Sequence, residues 1–417
     1  MAATHPRSSA RFPALLYGLL LVYGSLYPFF GWHGPLGGML DFLGAPWPRY
    51  FTRSDIITNI LVYLPFGALV TRSLRYRLRP AAAFAVAVAG ASLLSMGLES
   101  LQTFLPGRVA SRLDWLLNTL GASLGALAAA LIQGRWAPLR AVQALRYRWF
   151  LPGSAADMGL LVLGLWTLAQ LIPLLLYLDP ASLQRGLWSL WRALLQPSLL
   201  HWQQLIADSL GIAGLGLFVT LHARAAKSMM PLYVVFIVAV LLLRIPVMSW
   251  RLSLETGAGA LLGLGVAMLF LRSPRGLRLA AAAAMIFFGF ALAKLAPEVS
   301  LWFKPPREIN WIPFAGRMHS LYALAEMLAV LWPFLALAAL AQTAAPFRGH
   351  AWIGGLLVLT LAAALELAQQ GVPGHRADIT NVLLALAGWT APWWWRQYSK
   401  GIRHEQTDAG RSDPGIA

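Results

Sequence analysis

Twelve stretches of roughly 20 residues, each almost without charge, recur along this chain and decide what it can become. They lie near 12–30, 55–73, 81–104, 113–133, 156–178, 201–221, 230–250, 253–271, 279–297, 320–343, 351–370 and 379–395. A helix needs about 20 apolar residues to cross the hydrocarbon core of a bilayer. Inside that core each backbone N–H and C=O must find a partner within the segment, which a helix supplies by itself. Hydrophobic residues make up 58% of 417 and charged residues only 12%, too few charges to build a water-facing surface. The sequence therefore predicts an all-α polytopic integral membrane bundle of about twelve transmembrane helices. Arg7 and Arg11 ahead of the first stretch imitate a secretion signal. That stretch runs on into Tyr27-Pro-Phe-Phe30 with no small-residue cleavage site, so it reads as a helix.

The formal net charge is +17, which raises nucleic acid as a partner. The basic residues sit between apolar runs rather than on one stripe, and the positive-inside rule accounts for them better. The N-terminus, the even-numbered connections and the C-terminal tail hold 20 Lys and Arg, against 12 in the other connections. Both termini are thus expected on the cytoplasmic side. The chain has no cysteine, so disulfides, thiolate metal sites and cysteine nucleophiles are excluded. The histidines show no metal-ligand spacing, and no phosphate loop, dinucleotide fingerprint or nucleophile elbow occurs. Neither a cofactor nor a metal is expected.

The twelve stretches fall into three groups of four. Unit 1 is expected over 1–133, a basic cytoplasmic linker over 134–155, unit 2 over 156–271, unit 3 over 279–395, and a disordered polar tail over 396–417. The second stretch of each group carries an acid near its start or a Pro-Phe within it: Asp55 to Asn59 with Leu64-Pro-Phe-Gly67, Asp208 with Gly211, and Glu326 with Trp332-Pro-Phe334. Gly121-x-x-x-Gly125 and Gly259-x-x-x-Gly263 close the first two groups with a spacing that lets helices approach closely. A leucine stripe from Leu183 to Leu195 reads as a helix lying in the membrane interface. Arg244 and Lys294 read as snorkelling side chains, and Glu255 as a partner for Arg244 or Arg251.

One polar pattern appears twice. Glu99-Ser-Leu-Gln102, Pro106-Gly107-Arg108, Arg112-Leu-Asp114 and Asn118 return as Glu366-Leu-Ala-Gln369, Pro373-Gly374, Arg376-Ala-Asp378 and Asn381. Glu and Gln three apart share a helix face, Pro-Gly makes a turn, and the Asp and Asn share a face of the next helix. An ionisable group in a membrane helix costs about 2.5–3.5 kcal/mol on insertion scales, which makes a duplicated set a functional candidate. The middle group lacks the pattern and reads as degenerate.

At these motifs the chain resembles the VanZ-like family of bacterial membrane proteins. In the first third the resemblance rests on Tyr27-Pro-Phe29, Asp55-x-x-x-Asn59, Leu64-Pro-Phe-Gly67, Glu99-x-x-Gln102, Arg108, Asp114, Asn118 and Gly121. In the last third it rests on Asn310-Trp-Ile-Pro-Phe314, Pro333-Phe334, Glu366-x-x-Gln369, Arg376, Asp378 and Asn381, with Glu326 where family members usually carry Asn. The middle third is similar in layout only. The family is named for a protein implicated in teicoplanin resistance. The resemblance therefore implies a bacterial cytoplasmic (inner) membrane location and an envelope process, antibiotic resistance, rather than a defined reaction.

Each candidate residue also has a plain structural reading. Asp55 suits a helix cap, and Glu99 with Arg108 and Arg112 suits an ion pair closing the hairpin. The sharper expectation is an outward-facing cavity that engages membrane lipid, a lipid-linked glycan or a lipoglycopeptide. In that reading Arg108 and Arg376 hold an anionic group, while Glu99, Gln102, Asp114 and Asn118, with their counterparts Glu366, Gln369, Asp378 and Asn381, orient polar atoms. A lipid-modifying enzyme using Glu99 or Asp114 as base and a transporter or flippase are the alternatives.

Overall fold

The computed structural model describes residues 11–27, 29, 32–34, 37–47, 52–75, 77–105, 108–132, 144, 146–151, 154–172, 184, 195, 200–245, 253–296, 309–315, 321–344, 350–372 and 376–394. The chain divides into two compact units. One comprises Met1–Ala144 with Phe314–Leu321, the other Leu145–Pro313 with Tyr322–Ala417. The leucine stripe near 183–195, both Pro-Gly turns, Arg251 and the tail beyond 394 fall largely or wholly outside the described residues.

Helix is the only extended secondary structure among the described residues, and each of the twelve apolar stretches coincides with one. In the first unit these are α1 (Arg11–Leu26), the short α2 (Asp41–Gly44), α3 (Arg53–Leu74), α4 (Pro80–Gln102) and α5 (Arg112–Ile132). In the second they are α6 (Ser154–Leu171), α7 (Trp202–His222), α8 (Ala226–Arg244), α9 (Leu254–Phe270), α10 (Arg275–Leu295), α11 (Leu321–Thr343), α12 (Ala351–Gln369) and α13 (379–394). Eight of them, α3, α4, α5, α7, α8, α10, α11 and α12, are long and apolar enough to cross a membrane. The helical parts of α1, α6 and α9 are apolar but shorter.

Local chemistry sets the ends. Thr52 opens α3 with a capping box, its hydroxyl accepting from Asp55 N while the Asp55 carboxylate accepts from Thr52 N at 2.9 Å. Pro80 starts α4 at a position where a missing N–H costs nothing. The first helix ends at Leu26, short of the expected boundary, and Phe29 then takes a φ of 63°.

Glycine decides how closely helices cross. A Cβ at Gly121 or Gly125 would fall on the carbonyl oxygen of Ile60 or Leu64, so α3 and α5 touch backbone to backbone. The same device recurs in the second unit. Gly259 and Gly263 of α9 face Leu205 and Ser209 of α7, and Gly388 of α13 faces Leu331 and Leu335 of α11. Around the first crossing Leu21, Tyr63, Ala91 and Ala122 form a buried cluster. In the second unit α7 is the hub, since every residue from Ile212 to His222 is buried. Tyr233 of α8 anchors to it by donating to the Ile212 carbonyl at 2.7 Å.

Candidate functional site

At one end of the first unit, α1 and α4 finish where α3 and α5 begin, and the polar residues of the duplicated pattern gather there. Glu99, 5% exposed, accepts a hydrogen bond at 2.8 Å from the backbone N–H of Ser111. Ser111 in turn caps α5, its hydroxyl accepting from Leu113 N and Asp114 N. The glutamate thus holds the first residue of the next helix across the turn. Asn59 of α3 donates to Asp114 of α5 at 2.8 Å, just outside the glycine crossing, and Asn118 donates to Ser95 of α4 at 3.0 Å.

The last carbonyls of α1 have no partner within their own helix. Gln102 donates to the Ser25 carbonyl at 2.9 Å, and Arg108 reaches the carbonyls of Gly24 and Tyr27 at 3.4 and 3.3 Å. A guanidinium at a helix C-terminus is favoured by both hydrogen bonding and the helix dipole. Partial burial lowers the Arg108 pKa from its ordinary value, while the charge of Glu99 works the other way. Arg112 donates to the Leu43 carbonyl at 3.4 Å and stacks over Trp47, 4.2 Å from the ring centre. Asp55, exposed, serves its capping box and lies close enough to Asp114 for their charges to interact.

The C-terminal hairpin repeats this arrangement in the second unit. Glu366 accepts from the backbone N–H of Asp378 at 2.7 Å and from the Asn381 side chain at 2.9 Å. Asp378 caps α13, accepting from Thr380 N at 2.8 Å. Gln369 donates to the Lys294 carbonyl at 3.1 Å, near the end of α10. Asn310 clips the turn from outside by exchanging backbone bonds with Ala377 and Ile379. Phe314, which follows Pro313 as Phe29 follows Pro28, takes a φ of 60°. Both are left-handed conformations unusual for a bulky residue.

The two Asp–Asn pairs, alike in sequence, occupy different places. An interval of 267 residues carries Asn59 to Glu326, Glu99 to Glu366, Gln102 to Gln369, Ser111 to Asp378, Asp114 to Asn381 and Gly121 to Gly388. Asp378 therefore stands in the position of Ser111, the helix cap, and Asn381 in that of Asp114. Each hairpin holds one Glu and one Asp, with the Asp moved between the cap and the following turn. Arg376 and Glu326 are exposed.

The middle helices keep the layout with other side chains. Arg244, at the end of α8, donates to Gln170 near the end of α6 at 3.0 Å, as Gln102 reaches back to α1. It is 7% exposed, so it is buried rather than snorkelling. Asp208 of α7 accepts from Gln204 of its own helix at 2.9 Å and lies near Thr256 of α9. Of the two arginines expected near Glu255, Arg251 lies outside the described residues, and Glu255 itself meets His201. It accepts from His201 N at 3.0 Å and lies 3.3 Å from the His201 ring, tying α9 to the start of α7.

Of the predicted residues, Asp55, Asn59, Glu99, Gln102, Arg108, Arg112, Asp114 and Asn118 meet at one end of the first unit. Glu366, Gln369, Asp378 and Asn381 meet in the second. Sequence reading missed Ser111, Ser95, Gln170 and His201. Ser111 was findable, because a serine three residues before an acid at a helix start is a capping signal.

Comparison with known proteins bears on the first of these sets. Residues 15–133 match the family model described as VanZ/LLP1, a span that contains that whole set. The VanZ-like resemblance is shown for this stretch. No curated protein and no solved structure matches the chain.

Proposed function

We propose that this VanZ-type membrane protein is built from three four-helix units in the bacterial cytoplasmic membrane, with both termini inside, and that its polar helix ends face outward and engage an amphiphilic envelope component. The twelve helices, the glycine crossing in each group and the paired hydrogen bonds of the two hairpins support the threefold construction. The chain's 20-to-12 division of basic residues supports the orientation.

The observation that carries the binding role is the environment of Arg108. Its guanidinium reaches the backbone carbonyls of Gly24 and Tyr27 at the end of α1, at 3.4 and 3.3 Å, and feels the charge of Glu99. A guanidinium placed at such a helix end offers a phosphate or carboxylate charge-assisted hydrogen bonds of about 2.7–2.9 Å. Glu99 acts on Arg108 electrostatically and is itself held by the Ser111 N–H, which gives the site a mixed charge suited to a head group bearing both signs. The protein acts in this reading as a binder, and protection against a lipoglycopeptide would follow from occupying or altering its target.

The test is purification in nanodiscs and mass spectrometry of whatever lipid or glycolipid copurifies, comparing wild type with Arg108→Ala. An anionic amphiphile enriched in wild type and depleted in the variant supports the proposal. Identical lipid profiles overturn it. Reporters inserted after Gly107 and Gly374 test the orientation, with cytosolic signal as the contrary result.

A further inference from the structure

The middle group lacks the hairpin pattern, yet an open cavity of about 420 Å³ lies where its helices begin. His201, Trp202, Gln204, Ser253 and Glu255 line it, together with Ala296. Three helix ends meet there, the N-termini of α7 and α9 and the C-terminus of α10. Gln203, also in the wall, donates to the Leu292 carbonyl of α10 at 3.1 Å. Gln369 uses Lys294 of the same helix end, so the cavity adjoins the C-terminal hairpin.

The lining argues for a neutral guest. Among the described residues, neither Lys nor Arg lines the cavity. An anion would meet the Glu255 carboxylate, and a cation would compete with the N–H groups that already hold it. The wall offers acceptors and donors together with a flat aromatic surface, Trp202, 67% exposed at the first turn of α7. Gln204 is braced by its bond to Asp208 at 2.9 Å, and Gln203 by α10, so both amides are held in place. Hydroxyl groups both donate and accept, and ring C–H faces pack on aromatic rings. The volume falls within the range of small-ligand sites.

We propose that this cavity binds a neutral polyhydroxylated ring, a sugar, with its face on Trp202 and its hydroxyls exchanging hydrogen bonds with Glu255, Ser253 and Gln204. The inference deepens the amphiphile reading by naming the head group, and rests on that reading only for the lipid source of the sugar.

The experiment uses the full chain in nanodiscs of phosphatidylethanolamine and phosphatidylglycerol containing a minor fraction of monoglucosyl diacylglycerol, with retained lipids counted by native mass spectrometry. Wild type is expected to retain the glucolipid in preference to the other two. Losing one hydrogen-bonded charge or the stacking face should weaken retention about tenfold, in Glu255→Gln and in Trp202→Ala, while Trp202→Phe keeps most of it. An unchanged unfolding midpoint in Trp202→Ala shows that the fold is intact. Displacement by soluble methyl glucoside assigns recognition to the ring alone, and its failure to displace assigns it to the lipid-borne sugar. Absence of preference in wild type, or preference untouched by both Glu255→Gln and Trp202→Ala, overturns the proposal. Preference lost only in Arg108→Ala overturns it too, while sparing the amphiphile reading at the N-terminal cluster.

Discussion

Glu366 accepts the backbone N–H of Asp378 at 2.7 Å across a turn twelve residues long. Glu99 holds Ser111 over the same interval. In both cases a carboxylate at the end of one helix satisfies the first residue of the next, whose own side chain caps that helix. The acid is spared an unpaired burial, and a backbone N–H on the far side of the turn supplies its partner. This explains how a carboxylate sits at 5–8% exposure between apolar helices.

Removing that acceptor should be more damaging than neutralising it. Glu366→Ala takes the acceptor away from both the Asp378 N–H and the Asn381 amide, at about 1–3 kcal/mol for each buried group. Glu366→Gln keeps one carbonyl oxygen for the backbone. We expect the unfolding midpoint of the detergent-solubilised protein to fall in the order wild type, Gln, Ala. Equal losses for the two variants would show that the clasp contributes little.

The glycine crossing makes a sharper prediction. Gly125→Leu drives a side chain into the Leu64 carbonyl, whereas a Cβ at Gly265 meets nothing within 4 Å. Gly125→Leu should fail to accumulate as a monodisperse species on size-exclusion chromatography, and Gly265→Ala should match wild type. A well-behaved Gly125→Leu protein would contradict the backbone contact of α3 and α5.

Much of this was legible in the chain because the bilayer simplifies the problem. Helices were readable from apolar length alone, and the Glu-x-x-Gln spacing correctly put Glu99 and Gln102 on one side of α4. Register was readable only by holding the 267-residue interval fixed; matched by residue type, Asp114 and Asp378 look equivalent, whereas the hydrogen bonds show one facing Asn59 and the other capping a helix. Backbone partners such as Ser25 and Lys294 leave no mark on side-chain identity, so the role of Gln102 and Gln369 as caps for a distant helix end was invisible. Arg244 was misread for a related reason. A basic residue at a helix end ordinarily reaches for the interface, and only the position of Gln170 reveals an inward partner.

That inward partner sets up a test of the middle helices. Arg244 stands where the other groups have Gln102 and Gln369, and its charge also interacts with Asp208. Arg244→Leu removes the donor to Gln170 and the positive charge near Asp208, and leaving a buried polar group unsatisfied costs about 1–3 kcal/mol. Arg244→Gln keeps a donor for α6. We expect Arg244→Leu to abolish expression of folded protein, Arg244→Gln to retain a reduced amount, and Asp208→Asn to improve the Arg244→Gln variant. Full recovery with Arg244→Leu alone would refute the buried network.

The exchange of acid between cap and turn predicts a compensating pair in the first unit. Ser111→Asp gives α5 the cap that Asp378 gives α13, but sets a third carboxylate beside Glu99 and Asp114, which already feel each other's charge. The single variant should lower the unfolding midpoint despite being a good cap residue. Adding Asp114→Asn reproduces the C-terminal arrangement, with the new side-chain amide placed to donate to Glu99 as Asn381 donates to Glu366 at 2.9 Å. The double variant should then recover most of the loss, corresponding to a coupling of about 1–3 kcal/mol between neighbouring sites. Additive losses would mean that the two hairpins, despite their shared spacing, do not use their acids in interchangeable ways.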